Sequence, residues 1–356
     1  MTGTVFLLGH VRAADSVNQF LADLCRAFTD LGRRSQFILV DDGVAPLGEA
    51  DLHAPGSFVI DINGKMDTGN FPKLALVVDH PLNHLHLSEP GRRTVLGVID
   101  QGHCELSAYL GAPTAFIPHG GPEIDAEAFD AERDIDVLFV GNIPERCVAS
   151  DHWEEIALKM GEVASHASLD PFVLLIEALG SACEGLSRSK LKLLLDMATN
   201  ESQRLSRVAA ITSVKDCVFH VVGHLPKEVE MQMSPKSILH GFNASFVQSW
   251  ALMRRSKIVI NISQKFPHGS HERIWYAMAS GSAVVTNRSR FVEQDFTHGR
   301  DILFYDDPCQ VGELVNHALV GRGDRGLAAA ARPIYEAGHT WTDRAERILV
   351  AIIGHV

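Results

Sequence analysis

The chain has 356 residues, 46% apolar and 21% charged, the make-up of a globular protein long enough for two cores. A net charge of −12 excludes a general nucleic-acid binder, which needs clustered Lys and Arg. No apolar run approaches the roughly 20 residues of a membrane span, and residues 1–5 carry no basic leader, so a cytoplasmic protein is expected.

Residues 4–8 read as a buried strand that runs into Gly9 and His10. Residues 17–31 carry a helical apolar period through Phe20, Leu21, Leu24 and Phe28, and residues 36–40 form the next strand. Short apolar runs at 58–60, 74–78 and 95–99 predict further strands; residues 115–122 close this series, and the acidic stretch 123–134 reads as a linker. A second series opens with a strand at 136–141. Helical patterns follow at 152–164, 171–179 and 188–210, then strands at 218–222, 257–262, 283–286 and 302–305. Helical patterns at 311–320, 327–337 and 342–353 end the chain. Strands alternating with helices imply parallel sheets that bind ligands at their carboxyl ends. The expected architecture is α/β, two Rossmann-like domains facing each other across a cleft. They span 1–130 and 131–338, and residues 339–356 form a helix returning to the first.

Gly269-Ser270-His271-Glu272-Arg273 opens a helix between the strands 257–262 and 283–286. Such a start presents backbone N–H groups and the positive end of a helix dipole, which suits a phosphate. Arg273 stands three residues before Tyr276, so the two are expected on one face, with Glu272 close by. Ile274, Ala277, Met278 and Gly281 line another, apolar face, and Gly281 ends the helix. The structural alternatives are an ion pair of Arg273 with Glu272 or Glu293, and an N-cap role for Ser270. Lys265 and His268, in the preceding loop, are candidate phosphate or sugar contacts. Gly141, Asn142 and Arg146 follow a strand and are candidates for the same phosphates, or an ordinary turn with an exposed arginine.

In the first series, His10 ends a strand and could take a proton from a hydroxyl near neutral pH; Asp79 and His80 end another strand and compete for that role. Eighteen histidines, several crowded at 80–86, complete no metal-ligand spacing, and six cysteines form no C-x-x-C pair. No metal and reduced thiols are expected. Asp134-Ile135-Asp136, at a strand start, reads as incidental.

From about 246 to 350 the chain resembles GT-B glycosyltransferases, in particular the branch that includes the spore-maturation CgeB-like proteins. The resemblance rests on four segments. They are the strand 256–261, the run from Arg273 to Gly281 (the family's R-x-F-E-A-x-A-x-G helix), residues 291–306, and His339-Thr340-Trp341-Thr342-Asp343-Arg344. Tyr276 stands where the family usually has a Glu that holds the nucleotide ribose. The resemblance implies an acceptor-side first domain and a second domain that binds a nucleotide-diphosphate sugar as donor substrate. It implies metal-independent transfer, without a cofactor, to a hydroxyl of a glycan, small-molecule or protein acceptor. A GT-B-fold epimerase or phosphorylase, or a non-catalytic nucleotide-sugar or partner-binding module, is the alternative.

Overall fold

The structure, a computed structural model, describes residues 3–11, 15–41, 47, 54–69, 71–88, 93–109, 111, 113–166, 169–241 and 244–353. The chain divides into two compact units, Met1–Glu123 with Gly338–Val356, and Ile124–Ala337.

Unit 1 is built on six parallel strands, β1 (Val5–His10), β2 (Ser35–Val40), β3 (Phe58–Ile62), β4 (Lys73–Val77), β5 (Thr94–Val98) and β6 (Thr114–Phe116), in the order β2-β1-β3-β4-β5-β6. Every position of β3, β4 and β5 is buried, as in strands covered on both faces. Two of those positions are charged. Asp61 and Lys73 form a buried pair 3.6 Å apart, and Asp61 Oδ2 also accepts from the Met66 amide at 2.8 Å.

The helix Asp15–Asp30 buries Phe20, Leu21, Leu24 and Phe28, the stripe legible in the sequence, and the helix Trp341–Ile353 packs against it. Trp341 stands 5.7 Å from Phe20, ring centroid to centroid. The approach to that last helix is tied down by backbone: the Gly121 amide donates to His339 O at 3.0 Å and the Trp341 amide to Gly121 O at 2.8 Å. Arg344, fully buried, donates from Nε to His119 O at 3.0 Å and from Nη1 to Gly338 O at 2.7 Å. Burial, with Arg344 and Arg347 nearby, holds His339 down to about 3, so it is a neutral imidazole.

Unit 2 repeats the pattern with β7 (Ile135–Val140), β8 (Phe219–Val222), β9 (Ser237–Leu239), β10 (Ser256–Asn261), β11 (Ala283–Asn287) and β12 (Leu303–Tyr305), all parallel, in the order β12-β11-β10-β7-β8-β9. Three helices, His152–His166, Pro171–Leu179 and Arg188–Ser213, run between β7 and β8 and pack on one another. The Asp170 carboxylate caps the second and Ser187 Oγ the third. At the amino end of the sheet Asp134 pairs with Arg255 at 2.9 and 2.5 Å, and Asp136 with Lys257 at 2.6 Å. These two aspartates join strand starts, at the end of the sheet opposite the carboxyl ends of its strands.

Several elements went unread in the sequence. β6 and β9 have three residues each and lie at sheet edges, too short to show a period. The helices Gln101–Tyr109 and Phe246–Arg255 also lie outside the patterns read there. The supposed linker carries the helix Ala126–Asp130, and Arg133 just beyond it donates to Phe129 O and Ser280 O, both at 2.8 Å. A side chain at Gly281, whose φ is 74°, would collide with Arg133 and Phe129 there.

Candidate functional site

The carboxyl ends of β7, β8, β10 and β11 come together in unit 2. β8 passes β7 so closely that a Cβ on Gly223, at φ 130°, would stand 2.4 Å from Gly141 O. Beyond β7, the Gly141 amide donates to Val222 O at 2.8 Å, and Asn142 Oδ1 accepts from the His224 amide at 2.8 Å. β10 and β11 are stitched by side-chain amides. Asn261 Nδ2 donates to Thr286 Oγ1 at 2.9 Å, and Asn287 exchanges two 3.0 Å hydrogen bonds with the Ser263 backbone.

Two buried arginines enter this corner. Arg273, on the helix Glu272–Ala279, donates from Nη1 to Asn261 Oδ1 at 2.9 Å and lies 5.9 Å from the Phe139 ring centroid. A Cβ on Gly141 would stand 3.6 Å from its Nη2. Arg207 projects from the last third of the helix Arg188–Ser213; its Nη1 donates to Asn142 O and its Nη2 to Ile262 O at 3.5 Å. Each therefore reaches the ends of β7 and β10. Their Nε atoms are both buried without a hydrogen-bond partner among the described residues.

Neither guanidinium has a carboxylate partner among the described residues. Glu272 pairs instead with His271, at 2.7 Å, and Glu293 with Arg288, at 2.5 Å. Burial lowers the affinity of Arg273 for its proton, with Glu272 opposing. Arg207 is brought down to about 9, by burial first and then by the charge of Arg273. Two buried like charges without a counter-ion form a site that favours an anion.

The remaining candidates fall around this pair in different ways. Ser270 is not the N-cap: its Oγ accepts from Trp275 Nε1 at 3.0 Å, and His271 holds the cap position. Gly269 is buried, and its carbonyl accepts from Ser289 Oγ, which fastens the loop to the segment after β11. Lys265 and His268 are half-buried on the same loop. Burial depresses His271, and the neighbouring Glu272 partly restores it. Arg146 is exposed on the loop after β7.

Tyr276 does not share its surroundings with Arg273. Fully buried, it meets Phe246 and Trp250 in T-shaped contacts at 5.0 and 5.3 Å, so its ring is packed as core. Two residues of an aromatic helix on one side and a strand end on the other divide the face that the three-residue spacing had joined. Arg207 has no signal in the sequence, since a lone arginine inside a long amphipathic helix carries no motif.

In unit 1, His10 ends β1, half-buried, with its amide and carbonyl bonded to the Asn18 side chain at 3.2 and 2.9 Å. His80 follows β4; its ring stands edge-on to that of His103 at 4.7 Å, and its Nδ1 accepts from the Leu82 amide at 3.4 Å. Asp79 accepts from Asn63 Nδ2 at 2.8 Å.

Residues 204–350 match the model of a family described as glycosyl transferase-like. No curated protein matches the chain at a significant level. Among solved structures, HepE of Anabaena in complex with UDP-glucose is similar at a TM-score of 0.57 and 12% identity, over 99% of this chain and 100% of that one. Sucrose-phosphate synthase of Thermosynechococcus elongatus is similar at 0.53 and 12%, over 97% of each chain. AviGT4, a glycosyltransferase involved in avilamycin A biosynthesis, is similar at 0.53 and 12%, over 98% of this chain and 97% of that one. The fold, two six-stranded parallel sheets with flanking helices, is GT-B.

Proposed function

We propose that the chain moves a sugar from a nucleotide-diphosphate sugar to an acceptor hydroxyl. The observation that carries this reading is the Arg207–Arg273 pair, buried at the ends of β7 and β10 with no acidic partner among the described residues. A diphosphate supplies the missing negative charge and acceptors for the two Nε atoms. The family match over 204–350 and the UDP-glucose held by the similar HepE support the same reading, and the four sequence segments favour the CgeB-like branch.

In the reaction the acceptor oxygen bonds to the anomeric carbon as the bond from that carbon to the diphosphate oxygen breaks. The electron pair leaves with the diphosphate, whose growing charge Arg273 and Arg207 neutralise, and in this reading the transfer needs no metal. The acceptor proton goes to a base, for which His10 and His80 are the candidates. A cytoplasmic location suits the six free cysteines.

Isothermal titration with a panel of nucleoside diphosphates tests the site. Arg273→Ala is expected to weaken binding about 10- to 150-fold, the loss of one charge-assisted hydrogen bond of roughly 1.5–3 kcal/mol. Unchanged affinity would overturn the assignment. With nucleotide sugars, slow donor hydrolysis is expected; interconversion of the sugar would point to an epimerase, and binding without turnover to a non-catalytic module.

A further inference from the structure

A cavity of about 450 Å³ opens in unit 2 beside the loop that leads into the helix Glu272–Ala279. One wall is apolar, formed by Leu169, Val173 and Leu174 of the helix Pro171–Leu179 and its approach. Leu169 and Val173 are 45% and 49% exposed, although both are large aliphatic side chains. The facing wall is Pro267, His268 and the segment after β11. That segment is fixed to the loop at two points, Arg290 N to Pro267 O at 3.0 Å and Ser289 Oγ to Gly269 O. The cavity is therefore walled by the loop that leads to the helix of Arg273, and neither Arg207 nor Arg273 lines it.

The charges around it are unequally spent. Arg288 is neutralised by Glu293 and Asp306, at 2.5 and 2.7 Å, and Asp170 is engaged as the helix cap at 2.8 Å. Glu177 and Arg290 are exposed on the rim, and no carboxylate of the described residues pairs with Arg290. A hexose laid on Leu169, Val173 and Leu174 would leave the hydroxyls of that face against aliphatic side chains, at the cost of unmade hydrogen bonds. A nucleobase would find no Phe, Tyr or Trp side chain among the residues lining the space, and only the imidazole of His268 as a ring. The volume is that of a site for a drug-sized molecule.

We propose that this cavity seats the body of the acceptor, and that the acceptor is an amphiphile: an apolar group laid on Leu169, Val173 and Leu174, with an anionic group against Arg290. This rests on the sugar-transfer reading above and names the substrate class for it. Two fluorescent probes, 7-hydroxycoumarin-3-carboxylate and 7-hydroxycoumarin, share an apolar bicycle and a hydroxyl and differ in the carboxylate. Titrated into the full chain, the carboxylate probe is expected to bind saturably and about three- to fivefold tighter, the scale of an exposed ion pair. Arg290→Ala should bring it to the level of the neutral probe without changing the latter. Val173→Asp, at a half-exposed site that tolerates a charge, should weaken both about tenfold or more. Neither variant should alter the affinity for UDP, and saturating UDP should leave probe binding in place.

Equal affinity for the two probes, indifference to Val173→Asp, or displacement by UDP would overturn the proposal; displacement would place the cavity in the donor site. Absence of any nucleoside diphosphate binding would defeat the transfer reading instead, and the coumarin titrations would still report on the cavity.

Discussion

A guanidinium that gives up its proton near pH 9 is a titrating ligand group, and Arg207 is held there by burial and by Arg273. Below that pH it is charged and suits a diphosphate; above it the neutral form prevails, and the bound anion must first restore the proton. Diphosphate affinity is therefore expected to fall about tenfold per pH unit above pH 9. Titrations from pH 7.5 to 10.5 check this, and comparison with Arg207→Met removes the ligand's own titration. A flat profile would mean that Arg207 stands apart from the anion. Asp61 offers a second titration, in stability. Burial outweighs the charge of Lys73 and raises its carboxyl from 3.8 to about 6. Between those values the folded state binds more protons than the unfolded one, so stability falls as pH rises from about 4 to about 6 and stays reduced above. The amount is of the order of 3 kcal/mol at 1.36 kcal/mol per unit. Asp61→Asn should flatten that part of the profile in thermal unfolding while lowering stability throughout, because Lys73 loses its partner.

At the scale of elements, the segment from His339 to Arg344 is a fastening. Arg344 joins Gly338 and His119 under the last helix, and Trp341 closes on Phe20. Arg344→Ala should cost about 3 kcal/mol or more, since two hydrogen bonds from a buried charged group are lost. Loss of unfolding temperature in unit 1, with diphosphate binding intact, is the expected outcome. Elements with strong periods were legible beforehand: the stripe of Asp15–Asp30 and the all-buried strands β3 to β5 needed only their own residues. The helix Phe246–Arg255 has large apolar residues at half its positions but buries only Ser249 and Met253 among them all, and its capping box of Ser245 and Gln248 is a further signal in the sequence. The site was half legible. Arg273 stands in the first turn of a helix and Gly141 directly after a strand, both recognisable places, whereas Arg207 joins them only through packing between residues 65 apart in the chain. Tyr276 shows the converse failure, because spacing along a helix does not say what packs against it.

At the scale of the molecule, unit 2 is one continuous stretch, Ile124–Ala337, with its own core around Phe139, Phe219, Ile258, Val285 and Tyr305. Expressed alone, these residues are expected to unfold cooperatively and to bind a nucleoside diphosphate within about tenfold of the full chain, because both arginines lie inside it. A calorimetric scan and a titration decide this; an unfolded fragment would show that unit 2 depends on the rest. Unit 1 has the opposite property, since its first segment ends at Glu123 and its second begins at Gly338.

That discontinuity sets an order of events on the ribosome. The apolar stripe of Asp15–Asp30 is made early, but the helix that covers it, Trp341–Ile353, emerges only after more than two hundred intervening residues. Counted from Asp30 to Trp341 and at roughly 5–20 residues per second, the delay is about 15–60 s. For that time Phe20 lacks Trp341, while unit 2 can already be complete. The nascent chain is thus expected to expose an apolar helix face for far longer than a hairpin or helix needs to form, and binding of a holdase chaperone to a chain truncated before Trp341 but not to the full chain would be the sign of it.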